Sequence, residues 1–131
     1  MNSYPNANNR DDGEKTNDCA LGKAVLVSDP AVRYVAVLRD GHLSTTAHPH
    51  RLDSSSAESD RYEERLVNPT VLTIIGNRGT IDCGGLTYVL VRYGNFFQLV
   101  HPLAGGHLSV CIEPDADTPC VIRTIQQVLK V

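Results

Sequence analysis

The sequence predicts an α+β fold, ordered αββαβββα, in which a five-stranded antiparallel sheet carries the central helix on one face and the terminal helices on the other. Three observations predict it. Val32 to Leu38 and His42 to Ala47 read as strands, joined by Asp40-Gly41, a pair suited to the positive φ angles of a two-residue hairpin turn. Leu86 to Tyr93, Phe96 to Val100 and His107 to Glu113 are three further strand-like runs separated by short Gly-bearing turns, a meander. Val121, Ile122, Ile125, Val128 and Leu129 then recur as one wide apolar helical stripe.

The 131 residues suit one domain, and a 41 % apolar content is enough for an ordinary core. A net charge of −3 argues against nucleic acid as a partner, because phosphate binding needs a surplus of Lys and Arg. No apolar stretch approaches the roughly 20 residues that cross a bilayer, so no membrane insertion is expected. The polar start of the chain lacks the apolar region of a secretion signal. The expectation is a cytoplasmic protein. Cys19, Cys83, Cys111 and Cys120 are widely spaced and read as free thiols, mostly buried, with Cys83 exposed in a Gly-flanked loop.

Residues 1–17 hold almost nothing to bury and read as a disordered arm before a domain over 18–131. Asp18 reads as the cap of a short helix with Leu21, Ala24 and Val25 on one stripe, ending near Ser28 before Pro30. After the first hairpin, Pro49 stops the second strand and a polar connector runs to Ser59. Ser55 to Glu58 has capping-box spacing, so the central helix starts there and carries Tyr62, Leu66 and Val67. Asn68-Pro69 predicts a kink or break, since proline inside a helix loses a hydrogen bond and clashes one turn back. A second helical piece follows through Val71, Leu72, Ile74 and Ile75, ended by Gly76-Asn77 and Gly79. Gly94-Asn95 reads as a type II′ turn and Pro102 to Gly106 as the next turn. In the last strand Leu108, Val110 and Ile112 share a face. Asp117 or Thr118 caps the final helix, with Pro119 in its first turn.

Signals for catalysis are poor. There is no G-x-S-x-G, P-loop, H-E-x-x-H or Rossmann glycine motif, and no cofactor is expected. His48-Pro49-His50, and a set of His101, His107 and Cys111, offer zinc-type ligands but in no standard spacing, so no metal site is assigned. Cys111 and His107 stand four residues apart on one strand, about 13 Å along it, too far for a thiolate–imidazole pair. Glu63, Glu64 and Arg65 read as a solvated charged face. Leu86 to Tyr93 is different. It is apolar almost throughout, carries only Arg92 as a charge, and lacks a neighbour on one side, so it is expected to pair with a second copy.

The run Ser28-Asp29-Pro30-Ala31-Val32-Arg33-Tyr34-Val35-Ala36-Val37-Leu38-Arg39-Asp40-Gly41-His42-Leu43 resembles the short helix, loop, first strand, DG turn and second strand of roadblock-type domains, the dynein light chain roadblock superfamily. Tyr88 to Glu113 looks like that family's meander, and Val121 to Leu129 like its last helix. The resemblance implies a homodimer or heterodimer in which third strands meet edge to edge and central helices pack side by side. It puts Leu86, Tyr88, Leu90 and Arg92 at the seam, with Val67, Val71, Ile74 and Ile75 on the helix. It also implies a non-catalytic scaffold or regulator working with small Ras-like GTPases in signalling or motor complexes. Pro69 departs from the pattern, because the family's central helix is usually unbroken. A profilin-like small-ligand sensor, with a pocket between helix and sheet, is the alternative function. An enzyme or metal protein built on His101, His107 and Cys111 is a third.

Overall fold

The computed structural model describes residues 17–48 and 57–130. A helix over 17–28 (α1) leads into β1 (Val32–Arg39) and β2 (His42–Ala47). The central helical run follows as α2 (Ala57–Tyr62), a π-helical turn (Glu63–Val67) and α3 (Asn68–Asp82). Then come β3 (Val89–Arg92), β4 (Phe97–Leu103), β5 (Gly106–Ile112) and α4 (Thr118–Leu129). The strands form one antiparallel sheet in the order β2-β1-β5-β4-β3. The expected αββαβββα architecture is therefore present. Residues 1–16 of the expected arm, and Ser55 of the expected capping box, lie outside the described residues.

Two periodicities divide the core. Strand alternation puts Val35 and Val37 of β1, Leu99 of β4, and Leu108, Val110 and Ile112 of β5 on one face. The α1 residues Val25 and Leu26 and the α4 residues Val121, Ile122 and Ile125 close over them. The other face is small and polar, with Tyr34, Ala36 and Cys111 beside Gln98, His107 and Ser109. The central helix lies on this face, tied to it through Glu64.

Several local expectations hold for their stated reasons. Asp40 (φ 51°) and Gly41 (φ 85°) both take positive φ at the first hairpin. Asp117 caps α4 by accepting from the Cys120 N–H.

Others are corrected. Asp18 is not a cap: it sits inside α1, buried, and its Oδ1 accepts from Arg39 Nε at 2.9 Å, fastening the helix to the sheet. Ala24 faces outward, and Leu26 takes its place in the stripe. Pro69 does not break the helical run, which continues through it to Asp82. The turn before it widens to π geometry, with the Asn68 N–H bonded to Glu63 O, which relieves the clash a proline ring makes with the carbonyl a turn earlier. Gly76 and Gly79 do not end α3, which continues to Asp82. Gly79 is instead the point where the returning chain touches the helix. A Cβ there would lie 3.2 Å from Gly85 C and Leu86 N. Gly94 lacks the positive φ that a type II′ turn needs, although Tyr93 N–H still bonds Phe96 O across the hairpin.

The meander shifts too. β4 runs on through Pro102 to Leu103, and the turn is Ala104-Gly105. This shortens β3. Its ladder bonds fall on alternate pairs counted from Tyr93–Phe96, through Val91–Gln98 and Val89–Val100, so the next would need an N–H from Pro102. Proline has none. The strand expected over Leu86 to Tyr93 is therefore limited to Val89–Arg92.

Two glycines separate steric from conformational need. At Gly106 a Cβ would overlap the Leu38 carbonyl, whereas at Gly41 nothing lies within 4 Å. Gly106→Ala is expected to cost about 3 kcal/mol or more by overpacking. Gly41→Ala is expected to cost only about 1 kcal/mol for its left-handed backbone. Urea unfolding of the two variants measures the gap.

Candidate interaction surface and the polar layer that positions it

Three consecutive side chains at the π turn reach three different parts of the sheet. Glu63 accepts from the Tyr93 hydroxyl at 3.0 Å, beside the β3–β4 hairpin. Glu64 meets His107 Nε2 of the central strand β5 at 2.8 Å. Arg65 Nη1 donates to Gly41 O in the first hairpin at 3.2 Å. Glu64 and His107 are each only 1 % exposed, and Asn68 Nδ2 donates to the same Glu64 oxygen at 2.9 Å. Deeper along the same face, Gln98 donates to the Ser109 hydroxyl and accepts from the Cys111 thiol.

The expectation of a solvated Glu63-Glu64-Arg65 face is therefore corrected at Glu64. The signal was present in β5. Its alternation puts His107, Ser109 and Cys111 on one face, and whatever covers a polar strand face must bring polar partners. The histidine readings change as well. His101 shares the face of Leu99, opposite His107, so the two cannot converge on one ion. No group of three or more metal-ligating side chains occurs among the described residues. Pro49 and His50 lie outside those residues.

All four cysteines are free, but only Cys111 is buried; Cys19 and Cys120 face solvent with Cys83. Each of the first two stands on its helix away from the buried stripe. Burial, and then the Glu64 carboxylate, push the Cys111 thiol well above its ordinary range.

With Glu64 and Asn68 turned inward, the apolar residues of the central run are left outside. Ile74 is 65 % exposed, Ile81 74 % and Ile75 40 %, while Val67 and Val71 are half-buried. Val67, Val71, Ile74 and Ile81 follow helical spacing and make one outward stripe, with Ile75 beside it. Ile81 was not among the residues expected from the sequence, because the helix was expected to end before it. In the sheet, β3 pairs only with β4 among the described strands. Since Tyr93 N–H points inward to Phe96, alternation points the N–H groups of Leu90 and Arg92 out from the free edge.

The residues expected at the seam thus separate into groups. Tyr88 is partly exposed and Arg92 exposed, whereas Leu86 is half-buried. Leu86 and Tyr88 precede the strand proper. The Leu90 side chain packs on the monomer's own core, and only its backbone reaches the edge. Arg92 stacks over the Phe97 ring at 4.9 Å. Among the described residues, no helix is long and apolar enough to cross a membrane.

Solved structures share this arrangement. A Roadblock/LC7 domain from Streptomyces avermitilis superposes with a TM-score of 0.64 at 16 % identity, over 86 % of this chain and 91 % of that one. The chain has the roadblock-type fold. MglB in a tetrameric arrangement gives 0.65 at 9 % identity, over 87 % of this chain and 83 % of its own. The gliding protein MglB from Thermus thermophilus gives 0.60 at 12 % identity, over 83 % and 80 %. No protein-family model matches the sequence, and no curated protein matches it either. At these identities it is the roadblock fold that is shared.

Two outcomes are expected from the polar layer. Glu64→Ala should destabilise the protein by about 3 kcal/mol, because it strands the buried His107 and Asn68 without their acceptor; urea unfolding measures this. The raised Cys111 pKa gives a sign for alkaline pH. The folded thiol stays neutral while the unfolded one ionises above about pH 8.5, so the stabilisation is full below that pH and declines steadily as pH rises from there toward the raised folded pKa. The slope is up to about 1.4 kcal/mol per pH unit. Cys111→Ala should flatten that slope when unfolding is measured between about pH 8 and 9.5.

Proposed function

We propose that this chain is a non-catalytic protein-interaction module that works as a pair. In that pair, β3 edges of two copies extend one sheet and the central helices pack along their outward stripes. The observation that carries the proposal is that one subunit leaves both a strand edge unpaired among the described strands and isoleucines exposed on α3. Each is a liability to an isolated monomer, since open edges and apolar patches both recruit other chains. One partner surface would cover both.

The pair would act in the cytoplasm as a scaffold or regulator, with a small Ras-like GTPase as the partner class that the roadblock resemblance implies. The tetrameric arrangement named for MglB supports self-association on this fold, and its description as a gliding protein fits a role beside cellular machinery. The poverty of nucleophile–base arrangements supports a binding role rather than catalysis. Cys111, the buried thiol, donates to Gln98.

Sedimentation velocity tests the pairing. The expected result is a dimer at micromolar concentration that Ile74→Glu converts to a folded monomer, with circular dichroism unchanged. Arg92→Pro, which removes an outward N–H from the free edge, should weaken the same dimer. A strict monomer at high micromolar concentration would overturn the reading. Affinity purification from the native cell asks the partner question separately, with a GTPase expected among the retained proteins.

A further inference from the structure

The free edge of β3 offers a partner an ordered set of groups. Its ladder to β4 runs through Tyr93–Phe96, Val91–Gln98 and Val89–Val100, so the backbone groups of Val89, Val91 and Tyr93 point inward. Alternation turns the N–H and C=O of Leu90 and Arg92 outward, and those of Tyr88, directly before the strand, with them. Pro102 ends the ladder on the inner side, at its counterpart Thr87, and leaves the outer groups of Tyr88 untouched.

The same alternation sorts the side chains. Leu90 lies opposite Leu99 and packs on the main core. Arg92 lies opposite Phe97 with its guanidinium over that ring, and its Nη1 donates to Tyr93 O. Tyr88, Leu90 and Arg92 therefore fall on the face of the terminal helices, and Val89 and Val91 on the other. Arg92 is the one charge in β3.

Identical strands meeting antiparallel about a two-fold axis have few registers open to them. An axis between two residues would set outward groups against inward ones and break the ladder. An axis through Arg92 puts like charges directly opposite each other, which is destabilising. An axis through Val91 sets Arg92 against Leu90, and Tyr88 against Gly94, beyond the strand in its turn. An axis through Val89 sets Arg92 against Leu86, half-buried ahead of the strand. An axis through Leu90 sets Leu90 against its own copy, Val89 against Val91, and Tyr88 against Arg92, so every outward group from Tyr88 to Arg92 meets a counterpart. Building on the pairing proposed above, we infer that β3 recognises a second copy of this chain in this one register, with Leu90 on the axis and Arg92 opposite the partner's Tyr88. The edge is then complementary to itself, and Tyr88 and Arg92 are the residues that set its choice of partner.

Two measurements on the full-length protein test the register. In a mixture of isotope-labelled and unlabelled chains, filtered spectra should show an Hα–Hα contact between Val89 and the partner's Val91, residues about 7 Å apart within one chain. In sedimentation, Tyr88→Lys should weaken the dimer about tenfold by setting like charges opposite each other, whereas Tyr88→Glu should leave it as tight or tighter. Tyr88→Lys combined with Arg92→Glu should recover the original affinity to within about threefold. The two positions stand about 13 Å apart along one strand, so such rescue acts between chains. Circular dichroism checks that each variant is folded. A contact of Val91 with its own copy, a dimer without contacts between β3 strands, or no rescue by the second change would each overturn the register and leave the pair itself standing. A strict monomer would overturn both.

Discussion

The hydrogen bond between Glu64 and His107 is the contact on which the rest of the surface depends. It joins the central helix to the central strand at a place where both side chains are almost wholly out of water. Neither residue has an alternative. His107 is fixed inward by the alternation of β5, and the helix must bring an acceptor to it. Asn68 completes the arrangement by donating to the same carboxylate oxygen. A polar contact of this kind contributes little net stability when made and costs a great deal when broken, so its main effect is to select one helix position.

That selection inverts the usual logic of a surface helix. An amphipathic helix normally turns its apolar stripe to the core. Here the sheet face under the helix is polar and small, the helix commits Glu64 and Asn68 to it, and the isoleucines face out. The π turn is the local means. It is placed directly before Pro69, where regular α geometry would set the proline ring against the preceding turn. The wide turn absorbs that conflict while presenting Glu63, Glu64 and Arg65 to three separate partners on the sheet.

Elements governed by near neighbours in the chain were legible. Asp40-Gly41 specified its turn because the conformational demand is local. The period-two pattern of Leu108, Val110 and Ile112 and the stripe of α4 gave the core residues directly, since burial follows spacing. Elements governed by distant contacts were misread. Gly79 carried the appearance of a helix stop, but its missing side chain serves the approach of Gly85 and Leu86. Asp18 carried the appearance of a cap, but it answers to Arg39. The length of β3 depended on Pro102, a residue on the neighbouring strand.

Alone, the sequence determined the fold class, the order of elements, both faces of the last strand and the edge character of the third strand. Each of these follows from spacing, turn chemistry or apolar run length within a short window. The tertiary structure decided which charges are buried, which way the central helix faces and where its apolar residues end up. Those outcomes depend on pairs such as Glu64 with His107, 43 positions apart, and the energy of a buried polar group is set by the partner it meets, which no local pattern encodes.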